Sequence, residues 1–303
     1  MDIYTTRQNT VGNQNTMMSP IHYALLSLVC AGVNDVVFKR YSNKDRSRGM
    51  YVFGIGLVWT ILQLIVLAIS GEPLDLSRIS LIYGLAAGLL LTISNLFLLE
   101  SLTHIDTSLG STIYRLNTVG VVLLSLFLLN EPLGLFKIVG VILGVVAVFL
   151  LYQRTSQPGI NEKSYLFFFA LAIAASCFRA LYGVTSKGGF MQGASLQSLL
   201  LIGSICWIFG GAGYALLREK RFKITAKKGV YSMISGVLVF LIVNFLMLAV
   251  EQGEASVVIP IANMSFVVAL ILSVVLKMEI LSKRKLLAVA VSVVAIFFLS
   301  FSI

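Results

Sequence analysis

The sequence predicts an all-α membrane protein of ten transmembrane helices, built as two inverted five-helix repeats. Three observations carry this reading. The 303 residues are 58% hydrophobic and only 12% charged, with mean hydropathy +0.93, whereas a soluble domain is about half apolar and about a quarter charged. Ten apolar windows approach the roughly 20 residues that a helix needs to cross a bilayer. The closing stretches of the two halves are written nearly alike.

In chain order, MDIYTTRQNTVGNQNTMMS is polar and lacks the basic start and apolar core of a cleaved signal. Residues 1–20 therefore read as a disordered lead, with Met17 or Met18 as alternative starts. The spans are expected at Ile21–Phe38, Met50–Ser70, Leu81–Leu99, Ser108–Leu129, Leu135–Tyr152, Tyr165–Ser186, Leu196–Leu217, Gly229–Val250, Ala255–Leu276 and Leu286–Ile303. Short connections such as GEPLDLSR, NEPLG and QRTSQPGINEK carry turn and charge signals. Residues 21–152 form the first repeat, 153–164 a cytosolic linker and 165–303 the second repeat.

Lysine and arginine in short loops set orientation. With the first connection in the cytosol, cytosolic loops hold 17 basic residues and the opposite side 4. Both termini are thus expected outside an inner or plasma membrane, on the periplasmic face if the cell is bacterial. The net charge of +10 is explained by topology and contact with anionic lipid headgroups, so no nucleic-acid partner is expected. Cys30, Cys177 and Cys206 lie singly in apolar runs, and His22 and His104 match no metal or catalytic motif. No cofactor or metal site is expected.

The repeat appears when EPLGLFKIVGVILGVVAVFLL (131–151) is set over EILSKRKLLAVAVSVVAIFFL (279–299), an offset of 148 at which 9 of 21 positions agree. The same offset sets Lys39 over Lys187, and one of 149 sets Asn95 over Asn244. Five spans per half is odd, so the second copy enters upside down. Inverted repeats are the architecture of carriers that open a midplane site to alternate sides.

Within the spans, Ser111, Arg115, Thr118 and Ser125 share a helical stripe, as do Ser176, Arg179, Gly183 and Ser186. Asp35 lies on the face of Ser27 and Ala31, with Asn34 beside it. Spans one, three, four, six, eight and nine are expected to line a polar cavity, and the other four to be scaffold. Gly84 and Gly88 have the spacing that lets helices approach closely. An arginine about 10 Å from a span end faces a wet cavity or a partner. Arg115 could pair with Asp35, and Arg179 with Glu251 or Glu254; alternatively both meet an anionic part of a substrate. Asp35, the one carboxylate well inside a span, is the candidate for coupling to a proton gradient. Asn34, Asn95, Tyr114, Tyr182, Asn244 and Asn263 complete the candidate substrate-binding set with the two arginines. Glu131 and Glu279 sit at span ends, where capping and helix-dipole stabilisation explain them.

On these residues the chain resembles the drug/metabolite transporter superfamily, specifically its ten-helix EamA-type members. The resemblance rests on Gly32, Asn34 and Lys39 in GVNDVVFK, on Glu131 and Glu279, and on Pro260 early in the ninth span, where Ser111 stands in the first half. It covers roughly 21–303 and implies a secondary transporter, often an exporter of amino acids or other small metabolites. Small multidrug-resistance proteins, relatives by the same resemblance, carry an essential Glu eight residues before the first-helix Lys. Here that place holds Ala31 and, in the second half, Arg179, which argues against a cationic drug and for an anionic cargo.

The expected function is proton-coupled export of an amino acid or organic anion by alternating access, with the membrane lipid and a small molecule as partners. Uptake of a neutral sugar is the alternative within carriers; a passive channel or a membrane-embedded enzyme is the alternative of another class. A nucleophile–base pair or paired carboxylates, which an enzyme would need, are missing from the sequence pattern. Ten helices enclose a cavity in a monomer, and a dimer is compatible.

Overall fold

The computed structural model describes residues 18–42, 47–71, 73–102, 113–151, 162–220, 226–278 and 282–301. Most of the expected lead and linker, Ser111 and Glu279 lie outside these residues, as does the Lys39 side chain. The helices are α1 (Pro20–Ser42), α2 (Arg48–Ser70), α3 (Arg78–Ser101), α4 (Asn117–Leu128), α5 (Leu135–Leu151), α6 (Glu162–Met191), α7 (Leu196–Leu217), α8 (Ala226–Gln252), α9 (Ala255–Asn263), α10 (Phe266–Val275) and α11 (Lys283–Ser300). Among the described residues seven segments are long and apolar enough to cross a membrane, one of them the α9–α10 stretch, Ala255–Val275. Ile113–Leu128 and Leu135–Leu150 are shorter apolar helices, and α11 opens on three basic residues.

Two expected spans are not continuous. The fourth is interrupted by a turn at Leu116, and the ninth at Met264–Ser265, four residues after Pro260. Pro260 lacks an N–H and crowds the preceding turn, which loosens the helix before the break. The two breaks are 148 residues apart, the offset of the repeat.

The packing follows the same offset. A methyl group at Gly32 would lie 2.5 Å from Val268 Cβ, and one at Gly120 lies 2.9 Å from Ala180 Cβ; the two contacts exchange under a shift of 148. So do Gly88 with Cys206 and Gly236 with Val58, and likewise Gly84 with Ile202 and Gly54 with Ser232. Helix pairs obey the same exchange: α1 packs on α8 as α6 does on α3, and α3 packs on α7 as α8 does on α2. The pairs α2–α7, α4–α9 and α5–α11 are their own counterparts. All these pairs join one half of the chain to the other, so the repeats interleave.

In a bilayer helices gain no hydrophobic energy by meeting, so small residues and polar contacts decide association. The exterior is apolar, with Ile61, Phe127 and Phe209 exposed, while Ser80, Ser94, Ser186 and Ser204 are fully buried. Helix ends are tied across elements. Ser47 caps α2, and the Glu219 carboxylate beyond α7 accepts from Arg48 N at 2.7 Å. Glu100 accepts from Arg218 Nε and Nη2 at 2.9 and 2.7 Å and from the Tyr214 hydroxyl at 2.5 Å. Before α3, Asp75 accepts from Ser77 N at 2.9 Å, from Ser77 Oγ at 2.8 Å and from Ser80 Oγ. Those donors hold the Asp75 carboxyl below its ordinary value.

Two predictions follow from this packing. Gly32→Val forces α1 off α10 and lowers the thermal midpoint in detergent by several degrees, whereas Gly229→Ala, with nothing within 4 Å, holds or raises it by a helix-propensity gain of about 0.5–1 kcal/mol. The contribution of Asp75 is present above pH about 4 and is lost as pH falls through its lowered value. The difference in midpoint between wild type and Asp75→Asn therefore shrinks as the pH is taken below about 4.

Candidate functional site

At the break in the ninth span the carbonyl of Asn263 has no helical N–H to serve, and hydrocarbon offers no water to replace one. Arg115 supplies the donor. Its Nη1 donates to Asn263 O at 2.7 Å and to Ser265 Oγ at 3.1 Å, and its Nη2 donates to Asp35 Oδ2 at 2.9 Å. Ser265 Oγ donates to the same Asp35 oxygen at 3.3 Å, and the guanidinium stands 5.2 Å from the Phe266 ring centroid. The side chains of Arg115 and Asp35 are 20% and 41% exposed. One cation thus joins spans one, four and nine, and its charge is neutralised by Asp35.

The break in the fourth span is closed from the other direction. Asn117 Nδ2 donates to Tyr114 O at 2.8 Å, and Asn263 Nδ2 donates to Asn117 Oδ1 at 2.7 Å and to Thr118 Oγ1 at 3.0 Å. Arg115, Asn117, Thr118, Asn263 and Ser265 therefore knit the two interrupted helices at one level. A crevice opens beside them, lined by Arg115, Thr118, Val148, Pro260, Asn263 and Phe266. Gly32 lets α1 reach this point, since a methyl there would meet Ser265 O at 2.7 Å.

Arg179 is placed differently. It stacks over the Tyr182 ring at 5.3 Å, and among the described residues it has neither a carboxylate partner nor a hydrogen bond. The expected pairing with Glu251 or Glu254 is not formed. Glu254 is taken by Lys137, which is 1% exposed and also donates to Pro132 O at 2.7 Å. Lys187 donates to Glu251 O at 3.3 Å. Tyr182 is packed, and Tyr114 receives a long hydrogen bond from Ser94 at 3.4 Å.

The remaining candidates are dispersed. Asn34 lies beside Asp35, and among the described residues its buried Oδ1 has no hydrogen-bond partner. Asn95 Nδ2 donates to Leu91 O at 2.8 Å, and Asn244 Nδ2 to Phe240 O at 2.7 Å, each four residues back on its own helix. Asn244 also donates to Gln63 Oε1 at 3.1 Å, and Gln63 Nε2 donates to Gln197 Oε1 at 2.6 Å. Gln63 and Gln197 belong to spans two and seven, expected as scaffold, and the expectation missed them because neither residue ionises. A glutamine inside an apolar run was the available signal. Glu131 does more than begin its own span: its carboxylate accepts from Ala255 N at 2.8 Å, Ser256 N at 2.9 Å and Ser256 Oγ, capping α9 in the other half.

Removing Arg115 leaves both Asp35 and the Asn263 carbonyl without their donor, a loss of about 1–3 kcal/mol for each buried group left unpaired, discounted for the partial exposure of Asp35. Arg115→Leu is expected to lower the unfolding midpoint in detergent more than Asp35→Asn does. Adding Asp35→Asn to Arg115→Leu recovers part of the loss, a coupling read from the double-mutant cycle.

Residues 18–153 match the EamA-like transporter family. No curated protein matches the chain. A solved crystal structure of a protein superposes with a TM-score of 0.78 over 93% of this chain and 96% of its own, at 14% identity, a likeness that shows the fold alone. The chain is a multi-pass membrane protein whose residues 18–153 are similar to the EamA-like transporter family.

Proposed function

We propose that the protein is a secondary active carrier that exports a small organic anion, amino acids included, by alternating access around the level of the two helix breaks. The observation that carries this reading is the unequal state of the two intramembrane arginines. Arg115 is neutralised by Asp35 and occupied by Asn263 O. Among the described residues, Arg179 has only an aromatic face against it. An unpaired cation inside a span is costly, by about 2.5–3.5 kcal/mol on insertion scales, and a carboxylate or phosphate on the cargo offsets that through charge-assisted hydrogen bonds.

The interrupted spans support the same reading, because discontinuous helices at a repeat interface present backbone groups and side chains at mid-depth. Asp35 is the coupling group in this scheme. Protonation releases it from Arg115 and frees that guanidinium for the anion, so the Asp35 carboxylate and the substrate compete for one cation. Both termini lie outside, and a single chain supplies the whole pathway.

Proteoliposomes loaded with a panel of amino acids, organic acids, sugar phosphates and neutral sugars test this, with and without an imposed pH gradient. Saturable transport of an anionic or zwitterionic compound is expected, at least ten-fold weaker in Arg179→Ala. Asp35→Asn is expected to carry substrate by exchange yet to lose the response to the gradient. Normal transport by Arg179→Ala, or transport of neutral sugars alone, refutes the anionic assignment.

A further inference from the structure

Under the exchange that relates the halves, α1 stands for α6 and α3 for α8, so a symmetric bundle would repeat every contact. One contact is not repeated. The helices form a ring in the order α1, α8, α2, α7, α3, α6, α4 and α9, each packed on the next and the last on the first. Across this ring α8 also packs on α6, whereas among the described residues no comparable packing joins their counterparts, α3 and α1. The tie is at the end of both helices that faces outside in the topology read from the loops. There Lys187 of α6 donates to the carbonyl of Glu251, in the last turn of α8, at 3.3 Å. The last carbonyls of a helix have no intrahelical donor, and a cation suits that end of the dipole. Glu131, Glu251 and Glu254 all lie within electrostatic reach of the same ammonium.

The two mouths of the ring differ in bulk as well. Near the outer end Gly189 of α6 lets Tyr83 of α3 approach so closely that a methyl group there would lie 2.9 Å from the tyrosine Cβ. The equivalent pair at the cytosolic end, displaced by 148 residues in each helix, is Tyr41 of α1 and Tyr231 of α8. Their rings meet edge to face with centroids 5.6 Å apart, so an aromatic ring props the cytosolic end where the outer end has a hydrogen atom. Accessibility follows the same division. Beneath the outer tie Ser186 and Gly183 are buried, whereas the side chain of Asp35, the repeat counterpart of Gly183, is 41% exposed.

We infer that Lys187 is a positioning residue that holds the outer mouth shut by tying α6 to the end of α8, and that the arrangement described is the one open to the cytosol. This rests on the alternating-access reading and the outside termini above, and adds to them a state and a latch. Inverted halves exchange conformations, so turning outward parts Lys187 from α8 and brings α1 and α3 together at the cytosolic end. Asp35 is reached from the cytosol until that exchange takes place.

Ser186 and Phe38 are repeat counterparts, and a cysteine at each reports on one mouth. The full-length protein in oriented proteoliposomes is treated with a membrane-impermeant maleimide on one side at a time, with the parent chain and its own Cys30, Cys177 and Cys206 as the blank. Ser186→Cys is expected to label slowly from outside, and Phe38→Cys readily from the cytosolic side. Adding Lys187→Ala raises the outside rate at Ser186→Cys about five-fold, as expected for one lost hydrogen bond, and lowers the rate at Phe38→Cys. Lys187→Arg keeps a donor and restores the protection. An outside rate that Lys187→Ala leaves unchanged overturns the latch. So does a rise at both cysteines together, which marks a loosened fold that Lys187 merely packs. Fast outside labelling of Ser186→Cys with Lys187 in place overturns the cytosol-open assignment. The labelling needs no cargo and is therefore judged apart from the transport panel. Anion transport alongside unresponsive cysteines removes the latch and leaves the carrier, whereas reciprocal labelling with no transported anion keeps the latch and removes the anionic cargo.

Discussion

The hydrogen bond from Arg115 to the carbonyl of Asn263 is the interaction on which the centre of this protein depends. Hydrocarbon tolerates non-helical backbone only where protein groups satisfy it, so a helix cannot simply stop at mid-depth. Here a guanidinium takes the orphaned carbonyl, a neighbouring hydroxyl and the Asp35 carboxylate together. An arginine that would be costly on an unbroken span is therefore what makes the break affordable. The reciprocal break is held by Asn117, whose side-chain amide donates to Tyr114 O and accepts from Asn263 Nδ2. The fourth span thus closes the break in the ninth through Arg115 and its own through Asn117, which Asn263 in turn holds.

The same logic governs the ends. Glu131 caps a helix in the opposite half, and Lys137 is committed to Glu254 and Pro132 O. Glu219, beyond α7, caps α2. Glu131 and Glu219 are anions placed where helix N-termini and free N–H groups favour them, whereas Lys137, in the first turn of α5, is held by its own acceptors; each of the three joins the two repeats. With Arg115 and Asn263 at mid-depth, the fourth and ninth spans are fastened together at two levels. Sliding of one against the other must exchange whole sets of hydrogen bonds, which is how packed elements come to have discrete arrangements.

Much of this was legible in the chain. Hydropathy located the spans because a bilayer imposes a length and excludes charge, and the boundaries of α7 coincide with the expectation residue for residue. The repeat offset of 148, read from 131–151 and 279–299, reappears in glycine contacts that played no part in finding it. The Asp35–Arg115 pairing was open because opposite charges at one depth have few other partners. The breaks were not legible. Leu116 and Met264 are ordinary helix residues, and only the tertiary hydrogen bonds around them permit the turn. Gln63 was passed over since a search for ionisable groups does not register an amide, and the target of Glu131 lies 124 residues further along the chain, beyond any local pattern.

The interleaving of the halves has a consequence for how the molecule is made. The main neighbours of α1, α3 and α5 are α8, α6 and α11, all synthesised later. Helices that leave the ribosome first must wait in the bilayer as separate rods until their mates arrive, with Arg115 and its anchoring carbonyl strangers to each other for most of translation. Insertion and assembly are then distinct stages, and the last helices to enter the membrane are the ones that turn a loose set of rods into a folded protein.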